Sequence, residues 1–137
     1  MTASLFATVG ADGRPFDRLV RWVDEWLAAE PERSVEAYLH IGGSRAPRWP
    51  VWASSVDQEE LALAAWAATA VVCDGAAASI LLCSGTGQAP IVVPRRAQLP
   101  VCRRLAASGR IRLAERQEHL GELLTAALDC PAPVNTS

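Results

Sequence analysis

The sequence predicts an α/β fold: a Rossmann-like parallel sheet with helices on both faces. Two observations predict it. Short β-prone runs alternate with segments whose apolar residues recur at helical spacing. Most of these runs also end on glycine, Asp-Gly or proline, the turn chemistry that strand-to-helix connections use. Alternation of this kind builds βαβ units.

The first run, residues 4–9, stops at Gly10, and Ala11-Asp12-Gly13-Arg14 turns the chain. Pro15 sits where the first turn of a helix accepts proline. Phe16, Leu19, Val20, Val23 and Leu27 then mark one face of an amphipathic helix, with Trp26 on its flank and Trp22 off it. Pro31 ends that region. Residues 35–41 form a second strand closed by Gly42-Gly43, and a proline- and arginine-rich loop over 44–50 carries Trp49. A brief third strand covers 51–53. The next helix runs from residue 57 through Trp66, with Asp57 as N-cap and Glu60 completing a capping-box pattern. Residues 70–73 form a strand of the fully buried kind. Asp74-Gly75 turns the chain into a helix over 76–84, which Gly85 and Gly87 stop. Ile91-Val92-Val93-Pro94 is another buried strand, residues 100–108 are helical up to Gly109, and 111–113 are a last short strand. Residues 117–128 form a final amphipathic helix. Residues 1–130 are expected to be one domain and 131–137 a flexible tail.

Composition narrows the function. The 137 residues, half hydrophobic and a fifth charged, suit one globular core. No apolar run of about eighteen residues is present, so no membrane-spanning helix is expected. The first residues lack the basic and apolar regions of a signal peptide, which predicts a cytoplasmic protein. A net charge of -2 argues against a grip on nucleic acid. All thirteen basic residues are arginine, which excludes a lysine nucleophile, a Schiff base and a Walker-type phosphate lysine. Cys73, Cys83, Cys102 and Cys130 form no C-x-x-C pair. Buried free thiols are therefore expected rather than a zinc site, and no metal or cofactor is expected.

In a sheet of this kind ligands sit beyond the carboxyl ends of the strands. The first loop, with Gly10, Gly13 and Arg14, joins a strand to a helix N-terminus and suits a phosphate, although any such turn favours glycine. The segment Cys73-Asp74-Gly75-Ala76-Ala77-Ala78-Ser79 enters a helix on small side chains. A diphosphate would find the amides of Ala77, Ala78 and Ser79 there, with the Ser79 hydroxyl as a further donor; tight helix–sheet packing would ask for the same small residues. Arg95 and Arg96 end the Ile91–Pro94 run and either neutralise phosphate or pair with nearby carboxylates. His40 and His119 are expected as core, rim or surface residues. Asp12 and Asp74 are the carboxylates of the two best loops: each is a candidate general base, Asp12 equally a turn residue and Asp74 equally a helix N-cap. No Ser-His-Asp set and no metal cluster is legible.

The strings F-A-T-V-G-A-D-G-R-P-F-D-R-L-V-R-W-V-D-E-W and P-I-V-V-P-R-R resemble the C-terminal half of family 28 glycosyltransferases. The resemblance is to the small single-domain bacterial members, which are similar to the catalytic subunit of the two-part UDP-N-acetylglucosamine transferase. It covers residues 5–128. It implies a GT-B C-terminal half that binds a UDP-sugar donor and transfers the sugar with inversion, without a metal. A separate, membrane-associated protein would bind the acceptor and recruit the chain to the inner membrane face. The resemblance implies that the loop of Gly10, Gly13 and Arg14 faces the diphosphate. It implies that Gly42 and Ser44 line the cleft, that backbone near Val56 meets the uracil, and that residues from Asp74 and Gly75 to Ser79 hold the diphosphate.

The chain departs from the family pattern in three places. Asp74-Gly75-Ala76-Ala77-Ala78-Ser79 stands where small members carry H-G-G-x-G-[ST], and each added methyl crowds a close backbone approach. Leu82 stands where an acidic residue would hold the ribose. The polar stretch expected after P-R-R is shortened. These departures leave an alternative: a catalytically inactive relative acting as a binding or scaffolding module, with Trp22, Trp49 and Trp52 as interface residues. A half without its partner half would also expose a face through which a homodimer could form.

Overall fold

The computed structural model describes residues 3–85 and 88–129. The expected stop at Gly87, the expected tail and Cys130 lie outside the described residues. The strands are β1 (Ala3–Thr8), β2 (Val35–His40), β3 (Trp52–Ala53), β4 (Ala70–Cys73), β5 (Ile91–Val92) and β6 (Arg112–Leu113). The helices are α1 (Asp17–Ala29), α2 (Gln58–Ala67), α3 (Ala77–Cys83), α4 (Leu99–Ala107) and α5 (Gln117–Asp129), with a 3-10 turn over Arg96–Gln98 leading into α4. The sheet runs β3-β2-β1-β4-β5-β6 and all neighbouring strands pair in parallel. This is the strand order of the doubly wound fold, and it reverses between β1 and β4.

Period-two alternation in β1 sorts the core into two layers. Leu5, Ala7 and Val9 face α1 and α5 in one apolar cluster that also takes Leu39, Val72, Ile91, Leu120 and Leu124. Phe6 points the other way, into a cluster with Leu61 and Ala65 of α2, Ile80 and Cys83 of α3, and Cys102 of α4. Both faces of the sheet are therefore covered, which is why β4 reads as an unbroken apolar run. At the start of α2 the Asp57 carboxylate accepts from the Glu60 amide at 2.8 Å, which is the N-cap half of the expected capping box.

Some local expectations are corrected. Trp22 lies within the buried face of α1, only 8 % exposed, because the helix is flanked on that side by its own Arg18 guanidinium as well as by the sheet. A narrow stripe drawn at i, i+3 and i+4 missed it. β3 is confined to two residues, and α3 starts one residue later than expected, at Ala77. Asp74 does not cap α3: the cap position is Ala76, with no side-chain cap. No described helix is long and apolar enough to cross a membrane.

Candidate functional site

The order reversal between β1 and β4 opens at the loops 9–15 and 74–76, and β2 and β5 supply the loops on either side. Gly10 leaves β1 with φ of 112°, a conformation that glycine adopts freely. A Cβ there would meet the Asp74 carboxylate at 3.2 Å and the Ser79 hydroxyl at 3.4 Å. The structure thus brings together Gly10, Asp74, Gly75 and Ser79 of the predicted set. Ala77 and Ala78 are exposed at the uncapped start of α3, while Ser79 is buried with its hydroxyl turned toward Gly10.

Gly13 of the first loop and Gly42 of the loop after β2 hold those two loops together. Gly13 (φ 68°) and Gly42 (φ 55°) pack backbone to backbone: a Cβ on Gly42 would stand 2.3 Å from the Gly13 carbonyl oxygen. The Gly43 amide donates to that same oxygen at 2.9 Å. Ser44 accepts from the Phe16 amide at 2.7 Å, satisfying a donor at the start of α1, and Asp17 accepts from the Arg45 amide at 2.8 Å. Gly13, Gly42 and Ser44 therefore join two loops to each other. Arg14 is exposed, and Asp12 accepts from the Arg14 amide at 3.2 Å in a side-chain turn on the outer edge. Val56 is buried in the second core cluster beside the exposed Ser54 and Ser55.

Arg95 spans the crevice. Its guanidinium donates to the carbonyls of Pro15 (2.8 Å), Val9 (3.1 Å) and Arg14 (3.1 Å), pairs with Asp74 at 3.5 Å, and lies 4.5 Å from the Phe16 ring centre. Gln98 completes the set: it accepts from the Gly75 and Arg95 amides at 2.8 and 2.9 Å and donates to Asp74 at 3.2 Å. Asp74 is 3 % exposed, and one of its carboxylate oxygens has no hydrogen-bond partner. Arg96, by contrast, is exposed. The role of Gln98 was not legible, because its bonds depend on the 3-10 turn that brings it back over Gly75.

His40 is 2 % exposed and holds the Thr8 hydroxyl at 2.7 Å; burial lowers its pKa. It is a core histidine. Cys73, Cys83 and Cys102 are buried free thiols, and a bond to Cys83 together with burial raises the pKa of Cys73 well above the usual thiol range. Among the described residues no group of three or more metal-ligating side chains comes together. A groove of about 640 Å³, walled by Ser4, Phe6, Glu36, Tyr38, Trp49 and Ala64, lies at the opposite ends of β1 and β2.

The strand order and the crevice at its reversal define a Rossmann-like α/β domain. The chain is similar to the glycosyltransferase SnogD from Streptomyces nogalater, with a TM-score of 0.67 and 17 % sequence identity over 93 % of this chain. It spans about a third of that protein, covering 35 % of its length. No family model matches the sequence, and no curated protein does.

Proposed function

We propose that the chain is the donor-binding half of a glycosyltransferase, taking a UDP-sugar at the carboxyl ends of β1 and β4 and transferring the sugar with a separate acceptor-binding subunit. The observation that carries this reading is the meeting of Gly10 with the start of α3 at the order reversal of a 3-2-1-4-5-6 sheet, the place where such sheets bind nucleotides. The likeness to SnogD over nearly the whole chain supports it. The exposed Ala77 and Ala78 leave the diphosphate a backbone surface, and amides there would stabilise the leaving group. Of the two candidate carboxylates, Asp12 is exposed and would take a proton from an acceptor hydroxyl; Asp74 is buried. The acceptor-binding subunit would be membrane-associated.

A second reading, an inactive relative acting as a binding module, rests on Arg95. Its bonds to three carbonyls of the first loop, together with Asp74, bridge the place a diphosphate would approach. Of the interface tryptophans it would use, Trp52 is 40 % exposed, Trp49 is half-buried with its indole donating to the Ala37 carbonyl at 2.8 Å, and Trp22 is in the core. The face bearing Leu63, Trp66 and Leu81 would serve a homodimer. Titration calorimetry with UDP and UDP-N-acetylglucosamine separates the two. Saturable binding of both supports the donor-binding half; no heat up to millimolar ligand removes it in favour of the inactive module.

A further inference from the structure

We propose that the small cavity between the first turn of α1 and the turn after β5, walled by Arg18, Arg95 and Arg96, is a binding site for a phosphate group. The cavity has a volume of about 140 Å³, with Pro94, Leu99 and Glu115 as its remaining walls. That is room for about four to five waters and well below the space a drug-sized ligand needs. It suits a small oxyanion or one phosphate of a larger molecule.

The cations here are in surplus. Arg18 is partly buried and carries neighbouring arginines, Arg96 and Arg21, whose charges together with burial lower its pKa. Among the described residues none of Arg18, Arg21 and Arg96 pairs with a carboxylate. The nearby acids are all engaged elsewhere. Asp17 accepts from the Arg45 amide, Asp24 from the Arg48 and Trp49 amides, and Glu25 from Gln117. Glu115, the one acid in the cavity wall, is held at both oxygens by Arg103 at 3.2 and 2.7 Å.

Arg18 is also fixed in place. Its guanidinium stacks on Phe16 and Trp22 at 5.3 and 5.4 Å and donates to the Pro94 carbonyl, while its Nε is buried with no partner. A partly buried guanidinium with like charges beside it is costly unless a counter-charge lies close by. A phosphate oxygen is the acceptor that matches the arginine fork. Arg95 contributes a wall only, since its bonds already go to the first loop and Asp74. The site is separate from the uncapped start of α3 and does not depend on the donor-binding reading.

The test is titration of the full chain with inorganic phosphate, and separately with UDP, at ionic strength fixed with sodium chloride. Phosphate is expected to bind and raise Tm above matched chloride. Arg96→Gln, whose parent side chain is exposed, should keep its fold and weaken phosphate at least tenfold. Arg103→Gln should weaken it as well, because the released Glu115 competes for the same cations. Arg110→Gln, at an exposed position outside the cavity, should leave it unchanged. UDP binding that phosphate displaces and Arg96→Gln weakens would also support the site, identify a nucleotide as the source of the phosphate, and assign that UDP to this cavity rather than to the start of α3. A Tm response equal to chloride, or phosphate binding unchanged in Arg96→Gln, overturns the proposal. UDP binding with no phosphate response would overturn this site while leaving the donor reading intact.

Discussion

Replacing Arg95 by methionine is expected to destabilise the fold by about 3–5 kcal/mol, the usual result of stranding one partner of a buried ion pair. The magnitude follows from what Asp74 would retain. Its side chain is 5 % exposed, Arg95 is its only ion-pair partner among the described residues, and one carboxylate oxygen already lacks a hydrogen bond. Without the guanidinium, Gln98 alone would face a buried charge. The three carbonyls of Val9, Arg14 and Pro15 also lose a charged donor, each such bond contributing about 1.5–3 kcal/mol in isolation and less in combination. Asp74→Asn alone removes charge without stranding one, because Arg95 keeps its carbonyls; about 1–2 kcal/mol is expected. The double variant should therefore be more stable than the sum of the two losses by at least about 1 kcal/mol. Urea unfolding of the four proteins, with unchanged m-values, measures this coupling. Additive losses, or a single Arg95→Met loss below about 1 kcal/mol, would refute the argument that this pair clamps the crevice.

Three further outcomes are expected. Gly42→Ala should lose about 2–5 kcal/mol, combining a left-handed backbone with a Cβ that overlaps the Gly13 carbonyl, as thermal unfolding would report. Stability should fall as pH drops below about 6.5, because the unfolded chain protonates His40 while the buried residue, with its lowered pKa, does not. The slope from this one proton is at most about 1.4 kcal/mol per pH unit, and His40→Asn should flatten it in a Tm–pH series. Cys73, Cys83 and Cys102 should resist an aromatic disulfide reagent in the native protein and react on unfolding; fast native labelling of Cys73 would contradict the burial described.

The fold was legible because both periodicities are strong. The apolar run of β4, the stripe of α1 and the Asp57 cap each depend on residues close in sequence. The site was legible only as a set of loops. Gly10 and Asp74 were placed at carboxyl ends of strands because βα alternation implies a parallel sheet; that those two ends adjoin at the reversal depends on the strand order, which pairing distant in sequence decides. The part that Gly13, Gly42 and Ser44 take in the fold depends on a contact between loops about thirty residues apart. Arg95 was legible as a cation that either neutralises phosphate or pairs with a carboxylate, and it pairs with Asp74; its carbonyl partners lie about eighty positions earlier in the chain, and no local pattern announces them.

The exchange between α1 and the loop after β2 has a kinetic meaning. Ser44 closes the start of the helix, and Asp17 in the helix in turn closes the loop. Both bonds require the loop after β2 to lie against the start of α1, so they are expected to open together when this βαβ unit opens. The amides of Phe16 and Arg45, twenty-nine positions apart, should accordingly exchange with solvent at one shared rate, as members of the same foldon.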